Sequence, residues 1–319
     1  MVKTARRKYA TAGALAVLCA MVATDMLCGG AEVSALVLWH LRAPRIATAL
    51  LAGAALSLAG AQMQSVLRNP LADPHIMGVS SGASLGAALA TMWGGRAGLT
   101  GTVAQGISIA GAAFTGALLS AAVILTVSRR FRNASTLLIF GVMLGFIVNA
   151  LVSILQFSSD AESLKLFYSW SAGSFSNTTW PQIAIMGIAL IIGFVIAYRS
   201  RKGLDIILFG DEFAAMAGAG VTGIRLRALL SSCIVTGAVT AFCGPLGFVG
   251  IIAPHIARSL CRTSAHAVIL PASLLTGCII SLAADLLSQV AATPLPTAST
   301  MAIVGIPVIL YILIKKPAL

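Results

Sequence analysis

YRSRKGLDIILFGDEFAAMAGAGVTGIRLR, residues 198–227, is the longest polar interruption in an otherwise apolar chain. Arg199, Arg201 and Lys202 open it, and Arg225 and Arg227 close it. Its middle is apolar enough to fold but too short and too acidic to cross a bilayer. Residues 210–221 predict a short helix with Phe213, Met216 and Gly220 on one face, at i, i+3 and i+7. Asp211 and Glu212 then fall at its N-terminus, where the helix dipole favours carboxylates. Between two membrane spans, on their basic side, such a helix is a surface for a cytoplasmic partner. A solvated loop resting on headgroups accounts for the same pattern.

Composition supplies the membrane. Of 319 residues 58% are hydrophobic and only 9% charged, with a mean hydropathy of +0.97, whereas a soluble domain carries about 25% charged residues. The formal charge of +12 points to nucleic acid in a soluble chain. Here the basic residues gather in loops between apolar runs, as the positive-inside rule expects, and no nucleic-acid partner is implied. The six cysteines form no CxxC pair and mostly fall inside spans, which favours packing over metal binding.

From the N-terminus, MVKTARRKYA precedes an apolar run, Thr11–Leu27, read as an uncleaved first span rather than a secretory signal. An outer loop, Gly29–Trp39, leads through LRAPR (Leu41–Arg45) into a second span ending near Leu67. RNPLADP (Arg68–Pro74) is a turn. Span three, Ile76–Trp93, is rich in Gly, Ser and Ala, which allow close helix approach where lipid offers no hydrophobic drive. An outer loop (Gly94–Gly101), span four (Val103–Val127), the basic loop SRRFRN (Ser128–Asn133) and span five (Ser135–Phe157) follow. Ser158–Trp180 is an interfacial outer segment with Tyr168, Trp170 and Trp180 suited to the headgroup belt.

Span six covers Pro181–Tyr198, and span seven, Leu226–Cys243, follows the central polar stretch. The region 244–262 begins GPLGFVGIIAPHIAR, a span broken by glycine and proline whose freed backbone groups need protein or water partners. Span nine (Ala267–Val290) contains Asp285; PLPTA (Pro294–Ala298) turns the chain into span ten, Ser299–Ile314. The expectation is an all-α integral membrane protein: one permease-like domain over 1–319, about ten transmembrane helices, and both termini cytoplasmic. In that orientation only Arg42, Arg45, Arg96 and Lys165 of the 21 basic residues lie outside.

No GxxxxGK[ST] or HExxH motif occurs, so no nucleotide-hydrolysing or zinc-protease site is expected. His40, His75, His255 and His266 are scattered and read as packed or interfacial. Asp285 alone sits well inside a span, with Asp25 near the end of the first. A single carboxylate is thin support for a proton relay, and a hydrogen bond to a neighbouring helix is its expected use. The chain reads as a pathway without its own energy source, driven by a partner at residues 198–227.

Three stretches resemble one family. Leu41–Ala87 (LRAPRIATALLAGAALSLAGAQMQSVLRNPLADPHIMGVSSGASLGA), Gly210–Arg227 (GDEFAAMAGAGVTGIRLR) and Gly244–Arg258 (GPLGFVGIIAPHIAR) are similar to FecCD/BtuC-type permeases, the membrane subunits of type II ABC importers. That resemblance implies a homodimer around a central pathway, two cytoplasmic ABC ATPase subunits that carry ATP and magnesium, and a periplasmic binding protein. It implies a multi-pass protein of a bacterial inner membrane that is not itself an enzyme and binds no cofactor or metal. The cargo it implies is a metal chelate: iron–siderophore first, then haem or cobalamin. Within the loop 199–227, Gly210, Asp211, Glu212, Phe213, Ala214, Met216 and Gly218 match the family's ATPase-coupling helix, with Asp211 for the usual Glu and Ala217 for the usual Leu.

By the same resemblance Arg42 and Arg45 match binding-protein docking arginines, and Asn133, Ala134 and Ser135 a cytoplasmic gate. Gly244, Pro245, Gly247, Gly250, Pro254, His255 and Arg258 match the broken helix beside the pathway. Gln289, where some members carry arginine, and Pro294–Ala298, where an acidic residue and LPxG are frequent, imply an altered docking face. The rival is an ion- or proton-coupled secondary transporter using Asp285.

Overall fold

The structure, a computed structural model, describes residues 2–27, 34–93, 102–130, 133–290 and 295–315. The loop Gly94–Gly101, Arg132 of the basic loop and Pro294 of PLPTA lie outside the described residues. The chain starts with α1 (Val2–Leu27). A single turn, α2 (Ala35–Val37), continues through a π-turn (Leu38–Arg42) into α3 (Ala43–Val66), and a 3-10 turn (Pro74–Met77) leads to α4 (Val79–Trp93). Then come α5 (Thr102–Ser128), α6 (Ala134–Phe157), α7 (Ala161–Ser171) and α8 (Trp180–Arg199). The polar stretch holds α9 (Arg201–Ile207) and α10 (Asp211–Met216). Last are α11 (Val221–Cys243), α12 (Val249–Cys261), α13 (His266–Ser288) and α14 (Thr297–Lys315).

No strand occurs among the described residues. Six helical segments are long and apolar enough to cross a membrane: Ala35–Val66, Ile109–Ser128, Ala134–Phe157, Trp180–Arg199, Val221–Cys243 and His266–Ser288. The shorter apolar helices Thr11–Leu27, Val249–Cys261 and Thr297–Tyr311, with the 15-residue α4, supply the remaining spans. Each falls where the sequence placed one. The outer segment after α6 also folds as expected, into α7, capped by Asp160, whose side chain accepts from the backbone N–H of Ser163 at 3.0 Å.

The hub is α3. The most apolar window of Ala35–Val66 is 83% buried, against 22% for α6, so α3 is surrounded by protein while α6 faces outward. It packs against α8, α11, α12 and α13. In lipid there is no hydrophobic drive between helices, so close backbone packing has to hold them. A Cβ added at Gly60 would lie 1.9 Å from the Gly250 carbonyl oxygen on α12. One added at Gly53 would lie 2.3 Å from the Gly277 carbonyl oxygen on α13. At both crossings only glycine lets the helices touch backbone to backbone.

The break before α12 is built from backbone and side chain together. Phe248 has φ +72° and ψ −37°, and the N–H of Val249 bonds to the Gly247 carbonyl at 3.0 Å. This is a γ-turn with its central residue at positive φ, a conformation that costs a non-glycine residue about 1–3 kcal/mol. Further along, Pro254 has no N–H to offer the Gly250 carbonyl four residues before it. Gln64 of α3 supplies the missing donor: its Nε2 reaches the Gly250 and Ile251 carbonyls, both at 3.1 Å. Its Oε1 accepts from Arg258 Nη1 at 2.6 Å. The broken span is therefore satisfied by protein, and one buried glutamine does it.

Gly60→Ala should destabilise the purified protein by about 1–3 kcal/mol, because neither backbone has room to yield. Gly187→Ala, whose added Cβ meets nothing within 4 Å, is the control. Thermal unfolding in detergent should show a lowered Tm for the first and an unchanged or raised Tm for the second.

Candidate coupling surface and its ties to the spans

The short helix in the polar stretch forms, but it is six residues long rather than the twelve expected. Gly210, at φ +111°, turns the chain into α10. At the other end Gly218 takes φ +74°, its N–H bonds the Ala215 carbonyl at 3.0 Å, and Ala219 N–H bonds the Ala214 carbonyl at 2.9 Å. That pair of bonds is a Schellman closure, which ends the helix before Gly220 and lets α11 begin at Val221. The expected face of Phe213, Met216 and Gly220 is thereby cut to its first two members.

Those members point out. Ala214 is fully buried, while Phe213 is 50% and Met216 82% exposed. Phe209, 74% exposed, packs against Phe213 with ring centroids 5.4 Å apart and planes tilted by 50°. Glu212 and Ala217 are exposed beside them. The result is a small apolar knob on a polar end of the bundle.

The two acidic residues at the start of α10 have different roles. Asp211 turns inward, its Oδ2 2.7 Å from Arg225 Nη2 on α11 and 3.8 Å from Arg68 Nη2 at the end of α3. The Arg225 side chain is only 4% exposed, so this pair fixes the knob to the spans. Glu212 remains on the surface.

A second tie was not visible in the sequence. His266, the first residue of α13, is buried; its Nδ1 lies 2.6 Å from Asp205 Oδ1 on α9 and its Nε2 2.6 Å from Ser65 Oγ on α3. Its backbone N–H donates to the same Asp205 oxygen at 2.8 Å. Partial burial works against the Asp205 carboxylate, yet the ring and backbone donors of His266 hold its pKa below the ordinary 3.8. These residue types match a hydrolase triad, but Ser65 is fully buried and no substrate reaches it. No signal in the chain announced the cluster, because its members are 61 and 201 positions apart.

At the other end of α3 the two arginines matched to docking do not project freely. Arg45 forms a bidentate pair with Asp285 of α13, Nε to Oδ2 at 2.9 Å and Nη2 to Oδ1 at 2.8 Å, and donates to Ser288 Oγ at 2.9 Å. Its side chain is 17% and that of Asp285 1% exposed. Arg42 Nη1 donates to the Met26 carbonyl of α1 at 2.6 Å. Gln289, expected on the docking face, instead donates through Nε2 to Asp25 Oδ1 at 2.7 Å. These side chains face inward because two carboxylates are buried there, and buried carboxylates require donors. Asp285 thus makes the interhelical bond expected of it, as an ion pair.

The residues matched to a gate sit at the start of α6, with Asn133 and Ser135 exposed and Ala134 buried. Of those matched to the broken helix, Gly244 (φ +78°), Pro245 and Gly247 lie in the break; Gly250, Pro254, His255 and Arg258 lie on α12. His255 Nδ1 is 3.1 Å from the Ile251 carbonyl.

Comparison with known proteins bears on the family and the fold. The sequence model of the FecCD transport family matches residues 10–315. The vitamin B12 import system permease protein BtuC of Klebsiella pneumoniae subsp. pneumoniae is 34% identical over 283 residues, covering 88% of this chain and 83% of the relative. BtuC of Citrobacter koseri is 32% identical over 324 residues, covering 98% and 96%. A solved structure described as a metal-chelate type ABC transporter in an inward-facing conformation superposes with a TM-score of 0.85 at 26% identity, covering 95% of this chain and 98% of that one.

Two outcomes are expected. Arg45→Met should cost about 3–5 kcal/mol by removing the cation that faces the buried Asp285 carboxyl, and adding Asp285→Leu should recover most of that loss; Tm values of both variants in detergent decide it. Because the pKa of Asp205 is lowered on folding, its contribution to stability is complete above pH 3.8 and is lost as pH falls through the lowered value. Asp205→Asn should therefore flatten the acid side of the stability–pH profile.

Proposed function

The chain belongs to the FecCD transport family, and on that footing we propose that it carries a metal chelate inward across a bacterial inner membrane. It is a permease subunit of a type II ABC importer. Its cargo in this reading is an iron–siderophore, with haem and cobalamin as the other members of the class. The names of the relatives, vitamin B12 importers and a metal-chelate type transporter, support that class. Two copies of the chain enclose the pathway, a periplasmic protein delivers the cargo, and two ATPase subunits supply ATP and magnesium.

One observation carries the mechanism. The knob of Phe209, Phe213 and Met216 is exposed at the end of two short helices, yet its base is fixed to the spans by Asp211–Arg225 and by Asp205–His266. An apolar projection on a stiff base is what a partner's cleft can grip and move. Gly210 and Gly218 set its direction, Glu212 edges it with charge, and Ala214 seats it on the bundle. ATP-driven closure of the partners then shifts α9 and α10, and the spans alternate access.

On the outer face the docking site in this reading is the π-turn Leu38–Arg42, held by Arg45 from beneath. The start of α6, Asn133–Ser135, is the inner constriction, completed by the second copy. The break at Gly244–Phe248 and α12 line the pathway. Asp285 serves structure, since it is paired with Arg45, and that favours ATP-driven transport over a proton relay through Asp285.

Purification of the tagged chain from its host's membranes should bring down a P-loop ATPase, and the ligand of its binding protein should name the cargo. Phe213→Asp with Met216→Asp should reduce ATPase recovery at least tenfold while leaving the chain inserted. Undiminished recovery would remove the knob from the interface.

A further inference from the structure

We propose that Asp205 and His266 form the joint through which movement of α9 and α10 reaches α13 and α3, as positioning residues for transport coupling. The proposal rests on the reading of α9–α10 as the ATPase-facing surface.

A long span needs partners for the free N–H groups at its start. Ala265, the residue before α13, has no side chain able to cap it. The cap comes from Asp205, on a different helix, whose Oδ1 takes both the backbone N–H of His266 at 2.8 Å and the ring Nδ1 at 2.6 Å. A carboxylate at a helix start combines a charge-assisted hydrogen bond with the favourable helix dipole. The coupling segment therefore holds the end of a membrane span that joins it in the chain only through α11 and α12.

The second ring nitrogen extends the tie. His266 Nε2 lies 2.6 Å from Ser65 Oγ, and the Ser65 hydroxyl also lies 2.9 Å from the Ala61 carbonyl on α3. His266 is 1% exposed and Ser65 fully buried, so water does not compete for these bonds. From this point α3 and α13 run together: Gly53 meets Gly277 at backbone contact, and Arg45 grips Asp285 at the far end. Any displacement of α9 must either break the bonds to His266 or carry the two helices along. The other tie, Asp211 to Arg225, acts on α11, the helix that directly follows α10 in the chain, and so adds stiffness to the knob rather than reach.

The test is the complete importer, with its ATPase and binding protein, reconstituted in proteoliposomes. ATP hydrolysis is measured with and without the substrate-free binding protein. Asp205→Ala and His266→Ala should each lower stimulation by the binding protein at least tenfold, with basal hydrolysis and ATPase recovery within twofold of the unaltered complex. The double variant should be no worse than the worse single one, since both remove the same joint. Asp205→Asn keeps an oxygen for the two donors and should retain at least half of the stimulation. If an alanine variant does not assemble, Asp205→Asn and His266→Asn take its place: the first should retain the stimulation, and the second should keep the Asp205 bond and lose only the arm to Ser65.

Normal stimulation in the assembled alanine variants overturns the joint. A proportional fall of basal and stimulated hydrolysis also overturns it, because that marks a structural role alone. Failure of the ATPase to co-purify with the unaltered chain overturns the coupling-surface reading, and the joint with it.

Discussion

Contact between α3 and its neighbours at the level of the backbone is the constraint on which the rest of the structure depends. A lipid-embedded bundle gains nothing by exchanging lipid tails for leucines, so its helices must interlock by shape and by hydrogen bonds. Here α3 does both. Gly60 and Gly53 bring its backbone against α12 and α13, and every long polar side chain it buries is given a partner on another helix. Arg45 meets Asp285, Gln62 meets Ser231, Gln64 meets the Gly250 carbonyl freed by Pro254, and Ser65 meets His266.

That arrangement explains how a proline and a positive-φ phenylalanine are tolerated in the middle of a membrane protein. The break before α12 carries local strain at Phe248 and an orphan carbonyl at Gly250, and both are compensated by α3 and α14. Phe248 packs onto α14 at Gly305, where an added Cβ would come within 2.8 Å of the phenylalanine. The same helix, α3, is tied at its inner end through His266 to α9 and at its outer end to α13. In the proposed importer this continuity matters, because the surface proposed to receive ATP-driven force and the one proposed to receive cargo lie on opposite sides of the membrane.

The spans were legible because membrane helices announce themselves by length, hydropathy and the asymmetry of Arg and Lys. Turn chemistry at NPLADP and the Gly-Pro interruption at residues 244–247 marked the elements between them. The polar stretch 198–227 was legible as an interruption of composition, although Gly218 closed its helix sooner than periodicity implied. What the chain concealed was pairing across long sequence distance. Arg45 and Gln289 read as outward charge and outward polarity, since nothing local shows that Asp285 and Asp25 wait beneath them. His266 read as a scattered histidine because its partners belong to helices α3 and α9. Family likeness suggested where to look; only three-dimensional contact showed which side chains are held inside the bundle.

The most direct test of the central claim is uptake of an iron–siderophore or cobalamin, delivered by the binding protein, into proteoliposomes that hold the permease and its ATPase. The account predicts uptake that requires internal-facing ATP hydrolysis and the binding protein, and that persists when an uncoupler removes the proton gradient. Uptake that proceeds without ATP and collapses with the uncoupler would contradict it and return Asp285 to the centre of the mechanism.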